Sequence, residues 1–134
     1  MNTEQPSAQP NIQLVANLVI HYDQQVLLVR YDKESQAWWL PGGDLEPYEH
    51  PDEAAKRVLG TISGLETQAP KLASVESFRG RRGWHIVFHY DVQATGTPLA
   101  DFPSEWFTDG AFPQTVHGKW ERESVRTVLA ASAV

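Results

Sequence analysis

Asp44, Glu46 and Glu49 stand in one short stretch between Gly42-Gly43 and a helix start at His50-Pro51. Carboxylates clustered beside flexible backbone are the raw material of a site for a hard divalent cation such as magnesium, which takes oxygen ligands. A cluster of opposite sign lies further on, where Arg79 precedes the turn Gly80-Arg81-Arg82-Gly83. Guanidinium forks match phosphate oxygens, so this turn reads either as a phosphate grip or as a solvated hairpin tip. Arg30, at the end of an apolar strand, is a further phosphate contact or a rim residue, since charged side chains mostly sit on surfaces. Trp38 and Trp39 are adjacent in an extended segment and therefore point to opposite faces of a sheet. One belongs to a core; Trp39 is the candidate to line a cleft where a base stacks, with two structural tryptophans as the plainer reading.

Several elements must hold these groups. His50 precedes Pro51, which suits the first helical turn, and Asp52 and Glu53 place negative charge at the positive end of the helix dipole. Ala54, Ala55, Val58, Leu59 and Ile62 recur at helical spacing, and Gly64 reads as a C-terminal cap, so the pattern predicts one helix over 51–63. Ile12 to His21 and Val26 to Arg30 read as a hairpin around Tyr22-Asp23-Gln24-Gln25. Lys71 to Arg79 and Trp84 to Gln93 read as a second hairpin. On its second strand Trp84, Ile86, Phe88, Tyr90 and Val92 share one face, and His85, Val87, His89 and Asp91 the other. The two histidines lie roughly 13 Å apart along an extended strand, too far to bind one ion together. Ala94 to Ser104 reads as a loop, Glu105 to Thr108 as a short last strand, and Lys119 to Ala133 as a helix. The inner side of that helix carries Trp120, Ser124, Val125, Val128, Leu129 and Ser132. Residues 1–11 are polar, contain Pro6 and Pro10, and read as a disordered tail before a single domain over 12–134.

The chain has 134 residues, no cysteine and a formal net charge of -6. That length suits one domain with a real core, and the missing cysteines exclude disulfides and thiolate zinc sites. Net negative charge argues against general nucleic-acid binding, which depends on neutralising phosphates. A small anionic ligand held by a local basic cluster remains compatible with it. No apolar run approaches the roughly 20 residues that span a bilayer, and the N-terminal stretch lacks the pattern of a signal peptide. The expectation is a cytoplasmic protein with no membrane partner.

The stretch from Leu40 to Leu65 resembles the box of the Nudix hydrolase family, G-x5-E-x7-R-E-U-x-E-E-x-G-U, where U is a bulky apolar residue. Gly43 fits the first glycine, Glu49 the first glutamate, Arg57 the arginine, Leu59 and Leu65 apolar positions, and Gly64 the last glycine. Leu40-Pro41-Gly42-Gly43 and Glu46 add to the likeness. The resemblance implies a Nudix-type α/β/α sandwich, an α/β fold with a mixed β-sheet. It further implies magnesium-assisted hydrolysis of a nucleoside diphosphate linked to another group, with metal bridging the diphosphate and a carboxylate activating water.

Three positions depart from the box. Val58, Thr61 and Ile62 stand where the family has the helix glutamates that hold the metal. The resemblance leaves Glu46 and Glu49 as metal ligands, Glu49 as ligand or base, and Arg57 to orient Glu49. Magnesium is then weakly held, or not used at all if the site is inactive. A degenerate active site of this kind implies a protein that binds a nucleoside-diphosphate-type ligand with impaired or absent pyrophosphohydrolase activity, through Arg30, Trp39, Arg79, Arg81 and Arg82. Two alternatives stand beside it: an active hydrolase that recruits Glu76, Asp101 or Glu105, and an interaction module, including a homodimer, in which a loop, the tail or a second subunit covers Val58 and Ile62.

Overall fold

The computed structural model describes residues 11–31, 37–113 and 118–132; the side chains of residues 109, 118–120 and 132 are outside the description. The tail expectation for residues 1–10 and the inner-face expectations for Trp120 and Ser132 fall on positions not described.

Alternation of apolar residues gives β1 (Ile12–Tyr22) and β2 (Gln25–Val29). They are joined through Asp23 and Gln24, whose φ values of 51° and 63° are those of a type I′ turn, the hairpin turn whose twist matches its strands. β3 (Gly42–Asp44) pairs antiparallel with β1, placing Val15 opposite Asp44 and Asn17 opposite Gly42. Helix α1 (Pro51–Leu59) starts as the sequence suggests. His50 Nδ1 accepts from the Asp52 N–H at 3.0 Å while Glu53 Oε1 accepts from the His50 N–H at 3.0 Å, a reciprocal cap.

The helix end differs from the expectation. α1 closes at Leu59, with Gly60 as its C-cap. The Ile62 N–H then bonds the Leu59 carbonyl and the Thr61 hydroxyl donates to the Val58 carbonyl at 2.6 Å. The chain turns at once into β4 (Ser63–Thr67), so Gly64 is a strand residue rather than a helix cap. Its φ is +83°, and a Cβ there would fall 2.2 Å from the Thr97 carbonyl oxygen, so close approach to the neighbouring strand requires glycine.

β5 (Lys71–Gly80) and β6 (Gly83–Leu99) form the second hairpin, but β6 runs six residues past Gln93. The segment 94–99, read as loop, continues as strand because β4 pairs with it. β7 (Ser104–Thr108) pairs with β2, and α2 (Gly118–Ser132) closes the chain.

One seven-stranded sheet results, in the order β4-β6-β1-β2-β7, with β5 beside β6 and β3 beside β1. β1 runs parallel to β6 from Ile12↔Trp84 to His21↔Gln93, and the other strand pairs are antiparallel. Each face carries one helix. Ala54, Ala55 and Val58 of α1 pack with Leu18, Ile20, Tyr90 and Val92 on one side. Val125, Val128 and Leu129 of α2 pack with Val19, Val26, Leu28 and Leu40 on the other. This is the α/β/α sandwich with a mixed sheet that the sequence suggested. Among the described residues no helix is long and apolar enough to cross a membrane.

Candidate active site

The acidic loop between β3 and α1 is knitted to α1 by one arginine. Arg57 Nε donates to Glu49 Oε2 at 3.0 Å, and Arg57 Nη2 donates to Glu49 Oε1 and to the Asp44 carbonyl oxygen, each at 2.9 Å. Glu49 Oε1 also accepts from the Glu46 N–H at 2.9 Å. These donors, the Arg57 guanidinium first and the Glu46 amide second, hold the Glu49 carboxyl down from 4.5 to about 2. Glu46 itself is exposed and contributes its backbone to the knot.

A cavity of about 200 Å³ opens beside this loop, on the α2 side of the sheet, walled by β1, β3, β6 and the start of α2. Tyr31 supplies its aromatic wall, Trp39 also borders it while packing its side chain against the α1-side core, Asn17 and Glu121 are its buried polar groups, and Arg82 and Asp44 form its charged mouth. Asn17 is 8% and Glu121 2% exposed. Gly42 makes the first of these placements fit, because a Cβ there would lie 2.0 Å from Asn17 Oδ1. The Tyr31 hydroxyl accepts from the Gly42 N–H at 3.0 Å, and burial raises the pKa of this phenol. At the mouth Arg82 grips Asp44 at two points, Nη1 to Oδ2 at 2.8 Å and Nη2 to Oδ1 at 2.9 Å. That contact holds the Asp44 carboxyl below its ordinary range.

The arginines named from the sequence part company. Arg82 lines the cavity, whereas Arg79 and Arg81 line an open hollow with Trp84 at the hairpin tip. Arg30 lies over the Trp38 ring, 5.2 Å from its centroid, and does not line the cavity. Trp38 packs with the α2-side core and Trp39 against the α1-side core, so the two do face opposite ways. Val58 and Ile62 are 4% and 5% exposed within the chain's own core, which answers what covers them. Glu76, Asp101 and Glu105 sit on β5, the turn after β6 and β7, and none lines the cavity.

The sequence of residues 12–128 matches the model of the NUDIX domain. The chain belongs to the NUDIX family. Solved structures share its fold at low identity. A MutT NUDIX hydrolase from Burkholderia pseudomallei is 20% identical, with 86% of this chain and 98% of that one covered at a TM-score of 0.71. A UDP-X diphosphatase is 17% identical, with 97% and 68% covered at 0.74. An ADP-ribose pyrophosphatase from Streptococcus suis is 19% identical, with 91% and 92% covered at 0.66. No curated protein matches the sequence.

Within this NUDIX chain the box residues occupy the expected elements: Gly43 on β3, Glu49 in the loop, and Arg57 and Leu59 on α1. Gly64 and Leu65 fall on β4 instead of the helix. Among the described residues no group of three or more His, Cys, Asp or Glu is placed to hold a metal ion. Sequence reasoning missed Asn17, Tyr31 and Glu121. Nothing in their spacing marks them, though a polar residue such as Asn17 inside the apolar run of β1 was a usable signal.

Proposed function

We propose that this NUDIX protein binds a nucleoside-diphosphate-type ligand in the cavity between the sheet and α2, and hydrolyses it poorly or not at all. The carrying observation is the cavity itself, which combines an aromatic wall, two buried hydrogen-bonding side chains and an arginine at the mouth. Enclosed, mostly apolar space with a few convergent polar groups is how proteins hold small planar ligands. About 200 Å³ suits one heterocycle. In this reading Tyr31 flanks the ring, Asn17 and Glu121 hydrogen-bond its edge, and Arg82 receives the phosphates. Arg79 and Arg81, in the neighbouring hollow, are left for whatever group extends beyond them. The names of the similar structures, a UDP-X diphosphatase and an ADP-ribose pyrophosphatase, point to the same ligand class.

Impaired hydrolysis follows from the donor set. Magnesium needs several free oxygen ligands in near-octahedral order. Both Glu49 oxygens are engaged by Arg57, the Thr61 hydroxyl donates to a carbonyl, and Val58 and Ile62 are buried hydrocarbon. Glu46 alone is a poor anchor. The residues present do not fit the family's metal.

The test is a thermal-shift titration with nucleoside diphosphates, nucleotide sugars and dinucleotides, with and without magnesium, followed by a phosphate-release assay on every ligand that stabilises. Stabilisation that survives chelation, without product, is expected. Stabilisation that requires magnesium and yields product would overturn the non-catalytic part of the reading, and no shift with any ligand would overturn the binding part.

A further inference from the structure

Asp44 and Arg82 come from distant parts of the chain and meet at the cavity mouth. Their side chains are 52% and 53% exposed. A pair so open to water adds little to stability, because solvent offers each ion nearly as good a partner. Yet the geometry is two-pointed, and it occupies both terminal nitrogens of the guanidinium, the edge that would otherwise fork onto a phosphate.

Around the pair the backbone is tied down independently. The Gln13 amide donates to the Arg82 carbonyl at 3.4 Å, and the Trp84 N–H donates to the Asn11 carbonyl at 2.8 Å, so the hairpin tip stays on β1 whatever the Arg82 side chain does. Arg57 grips the Asp44 carbonyl at 2.9 Å and keeps β3 in place. The exchange of a partner therefore needs only side-chain rotation about fixed backbone. His85 lines the same cavity as Arg82 and Asp44.

We propose that Asp44 is an exchangeable counter-ion for Arg82: it holds the guanidinium at the cavity mouth until a ligand phosphate takes its place. Asp44 is thus a positioning residue that sets how much the site gains from a phosphate on its ligand. Free nucleosides enter with the pair intact, while phosphorylated ligands break it and regain the contact on phosphate. The inference rests on the binding function proposed above.

Calorimetric titration of the intact protein with GDP, ADP and UDP, and with guanosine, adenosine and uridine, tests it. Asp44→Asn is expected to tighten the diphosphates by roughly two- to fivefold, the range of one exposed ion pair, and to leave the nucleosides unchanged. Arg82→Ala is expected to weaken the diphosphates by about tenfold or more. In the Arg82→Ala background, Asp44→Asn should lose most of its effect, which a merely structural role for Asp44 would not produce. If the diphosphates and nucleosides bind but Asp44→Asn weakens the diphosphates or leaves their ratio to the nucleosides unchanged, the exchange is wrong and the binding function stands. If neither class binds the wild-type chain, both fall together.

Discussion

Arg57 and Glu49 form a two-point ion pair across the loop–helix junction, Nε to Oε2 at 3.0 Å and Nη2 to Oε1 at 2.9 Å. The carboxylate that the NUDIX box would offer to a metal is bound to a guanidinium, and its side chain is only 12% exposed. The pair makes the loop an extension of the helix.

This pair gives the protein an acid-sensitive element. The Glu49 carboxyl is held at about 2 instead of 4.5, so its contribution is fully present above pH 4.5 and is lost as pH falls toward 2. Urea titrations of wild type and Glu49→Gln should differ at pH 7 and converge between those limits. A constant difference across that window would show that the pair is not the source.

Val58 and Ile62 lie inside the core while Thr61 is exposed, so restoring the box glutamates one at a time should give unequal results. Ile62→Glu is expected to destabilise by at least about 2 kcal/mol, the cost of burying an unpartnered carboxyl group. Thr61→Glu should cost no more than about 1 kcal/mol, for one lost hydroxyl contact at the surface. Chemical denaturation of the two variants measures the difference.

Gly42 sets the cavity's shape. A Cβ there would meet Asn17 Oδ1 at 2.0 Å and the Ala16 carbonyl oxygen at 2.8 Å. Gly42→Ala should destabilise by about 1–3 kcal/mol, as overpacking does, and should weaken ligand binding by displacing Asn17. Gly110→Ala, where a Cβ meets nothing within 4 Å, is the control.

Tyr90 is 1% exposed and its hydroxyl donates to Asp52 Oδ1 at 2.5 Å. Burial first, and the Asp52 carboxylate second, raise its pKa well above 10.0. The stabilising contribution is therefore present below pH 10 and is lost as pH rises through the folded value. Tyr90→Phe should cost about 1 kcal/mol at neutral pH. Ultraviolet titration should show one fewer late-ionising phenol in the variant than in the wild type.

Local signals carried much of the fold. The His50-Pro51 start, the Asp23-Gln24 turn and the buried stripe of Val125, Val128 and Leu129 depend on neighbours within a few residues, and each stands where its pattern put it. The misread region needed distant information. Gly96 pairs with Leu65 across β4 and β6, and a Cβ on Gly96 would lie 2.4 Å from the Gly64 carbonyl oxygen. Read locally, Gly64 suits a helix cap, and the segment that holds Gly96 reads as a loop. The same limit applies to the candidate site. Arg79, Arg81 and Arg82 are near neighbours in sequence, but Arg82 of the turn lines the cavity while Arg81 of the same turn and Arg79 of β5 line the tip hollow. Asn17, Tyr31, Trp39 and Glu121 are brought to one cavity by β1, the segments beside β2 and β3, and α2, elements that no short window joins.

The parallel ladder between β1 and β6 has a temporal side. Among the described elements β1 is made before the others, yet its ten-residue partner, Trp84 to Gln93, follows only after about sixty more residues have been made. The emerging hairpin of β1 and β2 therefore carries Ala16, Leu18 and Ile20 into the cell with their long-range neighbour still unmade. Until that strand is made, these side chains lack the neighbour that lies beside them in the finished sheet, and transiently exposed apolar surface of this kind favours aggregation.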